Sequence, residues 1–202
     1  MARRNKHSLE EIKEMVLDAA ETIIINEGYS ALTVRKIAME IGYTVASIYM
    51  VFTNMADLAM HIKANTMDEL TEQLQQVPGC APERQVVELA KAYLKFAVKN
   101  FNRWNMIFVQ DTEPPEWYRQ KINLIFSLLE AQFALLAPNC STQQSKLAAG
   151  ALWSGVHGIC TLYLTDKLDT AGINDVENTI VLLAENFING WVSSLVSGNQ
   201  QQ

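Results

Sequence analysis

The sequence predicts an all-α protein. Apolar residues recur at helical intervals in one segment after another, no run alternates apolar and polar in the manner of a strand, and the Gly, Pro and Asn clusters fall between the periodic segments. With 202 residues, 49% of them apolar, the chain has material for one large domain or a small domain followed by a larger one.

The first helix should begin behind Ser8, which stands three residues ahead of Glu11 in capping-box spacing. Ile12, Met15, Val16, Ala19 and Ile23 then give it one apolar face until Gly28. Thr33 caps a second helix whose inward positions are Val34, Ile37, Ala38 and Ile41, leaving Arg35 and Lys36 outward, and Gly42 ends it. Thr44 caps a third, short helix to about Met50. "FTN" breaks the chain there, and Asn54, three residues before Asp57, opens a fourth helix to about Gln75. "VPGCAP" is the clearest linker. Beyond it, helices are predicted over residues 82–101, 103–110, 115–136, 141–164 and 174–196, with breaks at "TEPP", "APNCS" and "LDTAG". The polar tail "SGNQQQ" is expected to fray.

The net charge of −6 argues against an indiscriminate nucleic-acid binder, but its distribution is uneven. Arg3, Arg4 and Lys6 precede the first acid at Glu10, whereas the chain from Thr66 onward has nine basic residues against fourteen acidic ones. Any anion-binding surface is therefore expected near the N-terminus. Cys80, Cys140 and Cys160 are odd in number and widely spaced, which suggests neither a disulfide framework nor a zinc site. Glu10, Glu11, Lys13 and Glu14 interrupt any secretory signal, and "ALWSGVHGICTLYL" reads as too short to span a bilayer, so a cytoplasmic protein with no membrane partner is expected. His157 has no nucleophile or acid near it in sequence, Ser154 lies in no nucleophile elbow, and no phosphate loop is present. An enzyme, a cofactor or a metal centre is not expected.

Two short helices joined by a Gly-containing turn behind a longer one form a helix-turn-helix, whose second member enters the DNA major groove. Thr44 and Ser47 could hydrogen-bond to bases or phosphate, Val45 and Ala46 could meet thymine methyls, and Ile48 and Phe52 would point into the core. Spacing alone leaves open a helical hairpin with no such partner.

Read together, Thr33, "IA" at 37 and 38, Gly42, Thr44, "IY" at 48 and 49, Phe52 and Leu58 resemble the signature of the tetracycline-repressor (TetR) family over roughly residues 8–60. The resemblance implies a dimeric cytoplasmic transcriptional regulator, usually a repressor of a palindromic operator. Residues 1–53 would form the DNA-binding domain, and residues 54–202 a larger helical domain that dimerises and binds a small effector. Thr33, Arg35, Lys36, Thr44 and Tyr49 match positions that commonly contact the DNA backbone, and Val45, Ala46 and Ser47 match base-facing positions. The Tyr49 ring is expected to pack in the core. The arm from Arg3 to Lys6 would enter an adjacent minor groove, or serve as a solubilising tail. The chain departs from the family pattern at Met50, Val51 and Met55, where a His or Tyr, an aromatic and a Lys often stand. Three potential polar contacts are thereby absent.

In the second half, large apolar residues are plentiful and most must be core. Trp104, Phe126, Trp153 and His157 are the candidate effector contacts, because a cavity between helices is the usual ligand site of such a domain. "WSGVHG" also resembles the Trp-His-Gly signature of one TetR C-terminal subgroup. Val176, Ile180, Leu183, Phe187, Trp191 and Leu195 make an apolar stripe on the final helix. The resemblance assigns that stripe to a homodimer interface, with Gly150, Gly155 and Gly158 permitting close helix approach. The sparse cations at Lys91, Lys95, Lys99 and Arg103 read as a solvated face, which leans towards a neutral or cationic apolar effector. A scaffold or architectural protein of the same fold, with a protein partner and no small ligand, is the alternative.

Overall fold

The computed structural model describes residues 7–109 and 113–198, so the basic arm at Arg3, Arg4 and Lys6 lies outside the described residues. Among the described residues the chain forms ten α-helices and one 3₁₀ turn (Tyr29–Ala31) and no strand. The helices are α1 (Leu9–Glu27), α2 (Val34–Ile41), α3 (Val45–Ile48), α4 (Met55–Gln75), α5 (Pro82–Lys99), α6 (Phe101–Ile107), α7 (Glu116–Leu136), α8 (Thr142–Leu164), α9 (Lys167–Thr170) and α10 (Val176–Gly198). They fall into two compact units, residues 1–68 with 100–119, and residues 69–99 with 120–202. The units do not follow the division drawn at residue 54. Leu58, Ala59 and Ile62 of α4 and Met106 of α6 share one apolar cluster with Ile12, Val16, Ile23, Ile37, Ile48 and Phe52, which binds them to the N-terminal helices.

In the first unit, polar side chains set the helix ends. The Ser8 hydroxyl accepts from the Glu11 amide at 3.2 Å, while the Glu11 carboxylate accepts from the Ser8 amide at 2.6 Å. Those bonds to Ser8 hold the Glu11 carboxyl below its ordinary range. Thr33 caps α2 by accepting from the Lys36 amide at 3.3 Å, and Gly42 ends it in the left-handed region at φ 69°, which a side chain would disfavour. Asn54 and Asp57 both help to cap α4, with Asn54 Oδ1 accepting from the Asp57 amide and Asp57 Oδ2 from the Thr53 amide, both at 2.9 Å. Polar clamps tie α6 to α1. Arg103, buried, pairs with Glu21 and donates to Asn100 Oδ1 at 2.7 Å, and Asn102 donates to the Ile25 carbonyl at 2.9 Å.

In the second unit, α5, α8 and α10 pack against one another. Gly155 on α8 allows the close approach to α10, since a Cβ there would lie 2.8 Å from Leu183 Cδ2. That close pair is within the chain, whereas a Cβ at Gly150 or Gly158 would meet nothing within 4 Å. α8 is 23 residues and, by length and composition, long and apolar enough to cross a membrane, contrary to the expectation from its central stretch alone. Only 28% of its apolar window is buried.

Candidate functional site

The first unit presents α3 as a short, well-anchored element. Thr44 Oγ1 accepts from the Ser47 amide at 3.3 Å and lies 2.9 Å from Ser47 Oγ, which caps the helix. Ile48 at its end and Phe52 beyond are buried in the unit's core, so the helix is held from beneath. This leaves Thr44, Ala46 and Tyr49 exposed, with Thr33 and Arg35 of the preceding segment exposed beside them in sequence. Val45 and Ser47 are half-buried, Val45 against the core, whereas Ala46 is exposed. Tyr49 departs from expectation. It is 46% exposed, because α3 ends at Ile48 and the chain turns there, lifting the ring off the core. Lys36 is engaged by the Glu27 carboxylate, a competitor for any phosphate. Nothing in the residue pattern signals that His7, at the root of the basic arm, reaches across 36 residues to the Tyr43 hydroxyl, with Nδ1 at 2.6 Å.

The second unit holds a cavity of about 50 Å3. Its walls are Leu74 of α4, Val86, Leu89, Ala90 and Tyr93 of α5, Ile125, Phe126, Leu128 and Leu129 of α7, and Leu152, Trp153 and Val156 of α8. No wall residue is an Asp, Glu, His, Lys or Arg. Phe126 meets Trp153 edge to face at 5.2 Å, and Trp153 stacks on His157 at 5.1 Å. His157 Nδ1 lies 3.0 Å from the Tyr93 hydroxyl. Burial holds the His157 imidazole below its ordinary pKa. Among the described residues no group of three or more His, Cys, Asp or Glu is placed to hold a metal.

Comparison with known proteins decides what this combination is. Residues 16–62 match the family model described as bacterial regulatory proteins, tetR family, and residues 86–186, half of the chain, match the one described as tetracyclin repressor-like, C-terminal domain. The chain belongs to the tetracycline-repressor family. It is a DNA-binding transcriptional regulator. An uncharacterized HTH-type transcriptional regulator of Mycobacterium tuberculosis is 23% identical over 173 residues, which are 84% of this chain and 78% of the relative. A protein of unknown function from Rhodococcus sp. RHA1 shares the fold with a TM-score of 0.75 at 19% identity, over 94% of this chain and 98% of that one. The regulator PfmR of Thermus thermophilus, of the same family, superimposes with a TM-score of 0.61 at 16% identity, over 86% and 97% of the two chains. The C-terminal match is to the family's domain and names no subgroup such as the one "WSGVHG" resembles.

The candidate residues of this TetR-family chain sort themselves by burial. Phe126 and Trp153 come together in the cavity wall, while His157 is not a wall residue and stands behind it, stacked on Trp153 and bonded to Tyr93, a wall residue that the sequence reading did not single out. Trp104 is not among the wall residues; it is fully buried in the first unit, with Phe108 edge-on at 5.3 Å. Part of the stripe on α10 packs within its own unit. Ile180 is fully buried, and Phe187 and Trp191 both pack on Phe133, at 5.9 and 5.0 Å, because the helix turns that side to its own unit. Val176, Leu183 and Leu195 are half-buried.

Proposed function

We propose that this TetR-family regulator is a dimeric cytoplasmic repressor that binds a palindromic operator and leaves it when a small apolar effector occupies the cavity of the second unit. The observation that carries the reading is the anchoring of α3: Ile48 and Phe52 are fixed in the core while Thr44 and Ala46 stay exposed. An apolar methyl held outward beside a capping hydroxyl suits a thymine methyl and a neighbouring polar base edge. Ala46 therefore reads bases, with the half-buried Val45 and Ser47 at its margins, and Thr33, Arg35, Thr44 and Tyr49 hold the backbone. Lys36 joins them only by leaving Glu27. The arm at Arg3, Arg4 and Lys6 adds contacts from the root at His7.

A second copy is the proposed cover for the outward face of α8. Leu147 and Leu162 are exposed there, at 64% and 42%, with Ala151, Ser154 and Gly158 between them at helical spacing, and Leu182 of α10 is 63% exposed. The Ser154 hydroxyl donates to the Gly150 carbonyl at 2.8 Å, which satisfies the one polar side chain within that stripe. Such a self-complementary apolar face suits an isologous dimer. Operator selection from random duplexes, followed by binding with Ala46→Arg and Ser47→Ala variants, tests the reading. Altered base preference at defined positions supports it, and unchanged preference in both variants refutes it.

A further inference from the structure

The four cations that read as one solvated face, Lys91, Lys95, Lys99 and Arg103, part company in the structure. Arg103 is buried against Glu21, and Lys91 is held between Glu88 and Glu177, at 3.9 and 3.3 Å. Lys95 and Lys99 are exposed, and among the described residues neither has an ion pair. Both line an open groove of about 590 Å3 in the second unit, a size that suits a small molecule. Its lining is otherwise mostly apolar. Leu94 and Val98 of α5 face it with Val77 and Pro78 beyond α4, Tyr163 of α8 and Val176 of α10. Val98 and Tyr163 are 48% and 38% exposed, so apolar surface stands against water there beside two uncommitted cations.

We infer that this groove binds a single-chain amphiphilic anion, a free fatty carboxylate of medium length, with its hydrocarbon on the apolar lining and its head group between Lys95 and Lys99. Charge selects the head. The two glutamates of the groove, Glu88 and Glu177, are both engaged by Lys91, so the uncompensated charge is positive and sits at Lys95 and Lys99. These two are one helical turn apart on α5, where like charges repel, and an anion between them relieves that repulsion. Elsewhere the background is unfavourable to an anion, since the chain from Thr66 onward has fourteen acidic residues against nine basic ones. The lining selects the tail. An inorganic anion would leave Val98 and Tyr163 wet, and a neutral hydrocarbon would leave the two cations without a partner. The groove shares no lining residue with the apolar cavity, so this site stands whether or not the cavity takes the effector.

Calorimetric titration of the full chain with decanoate, hexanoate and decan-1-ol, each below its micellar or solubility limit, tests the assignment. Decanoate should bind at least about tenfold more tightly than hexanoate, which lacks four methylenes, each about half-covered in an open groove. It should bind at least about threefold more tightly than decan-1-ol, which lacks the charge. Lys95→Gln with Lys99→Gln changes two exposed side chains outside any ion pair among the described residues, so the melting temperature should hold while the preference for decanoate over decan-1-ol disappears. Amine acetylation read by mass spectrometry locates the ligand: decanoate should slow modification of Lys95 and Lys99 and leave the exposed Lys167 unchanged. No binding of decanoate, equal binding of hexanoate, a preference over decan-1-ol that survives the double substitution, or no protection of either lysine overturns the inference. Cosedimentation with phosphatidylglycerol vesicles that depends on the same two lysines would also overturn it, because it would assign them to a bilayer surface.

Discussion

Thr44 has two separable duties, and substituting it two ways separates them. Its hydroxyl caps α3 through the Ser47 amide, and by its exposure it is the proposed backbone contact. Thr44→Ala loses both. Cap loss costs about 1 kcal/mol of stability, and a hydrogen bond to a charged phosphate is worth about 1.5–3 kcal/mol, or roughly 10- to 150-fold in affinity. Thr44→Asp keeps the cap, since a carboxylate accepts from the same amide at least as well, but sets a negative charge against phosphate. Urea melts should therefore place Thr44→Asp within a few tenths of a kcal/mol of the parent and Thr44→Ala about 1 kcal/mol below it. Anisotropy with a labelled operator should show both weakened at least about tenfold, with Thr44→Asp the weaker binder. Operator affinity retained in Thr44→Asp would refute the placement of α3 against DNA. Parallel loss of stability and affinity in both variants would reduce Thr44 to a cap.

Met55→Lys places a cation where the family often has one; Met55 is only half-buried against the first core, so a lysine stem can lie along it. Log affinity against log salt should steepen by about 0.9, equally on cognate and unrelated duplexes, and an unchanged slope would show that residue 55 does not approach phosphate. Leu147→Glu with Leu182→Glu should yield a folded monomer in sedimentation. Trp191→Glu should instead lower the melting temperature through its packing on Phe133, and the reverse pattern would return the interface to the α10 stripe. Arg103→Met strands the Glu21 carboxylate and should cost about 3–5 kcal/mol, with partial recovery on adding Glu21→Gln; a loss below about 1 kcal/mol would mean that the pair is solvated. His157 titrates below its ordinary 6.5 when folded, so the unfolded chain binds that proton more readily. Stability from this source is full above about pH 6.5 and falls as pH drops below it, and His157→Gln should make that fall shallower in melts between about pH 7.5 and 5.5. His61 is lowered by burial in the same sense and leaves a residual slope.

Local rules were legible in the residues wherever the deciding partner lay within one turn. Ser8–Glu11, Thr33, Gly42, Thr44 and Asn54–Asp57 all act where their spacing placed them. The 3₁₀ turn at Tyr29 and the single-turn α9 were missed, being too short to show a period. Long-range pairings were not legible. Helical spacing marks Val176 to Leu195 as an apolar face without saying what covers it, and for Phe187 and Trp191 part of the cover is Phe133 on another helix. Trp104 and Trp153 are equally good cavity candidates as residues, yet one is core of the first unit and the other a wall of the second. Likewise, the family resemblance pointed Lys36 to phosphate, and only the fold shows Glu27 beside it.

The central claim is that two copies of α3 read DNA together, and a hydroxyl-radical footprint of the full chain on its selected operator tests it most directly. The account predicts two equivalent protected half-sites related by a dyad, with centres about 34–36 Å or a whole multiple of that apart on one face of the duplex. A single protected half-site, or half-sites on opposite faces, would contradict it.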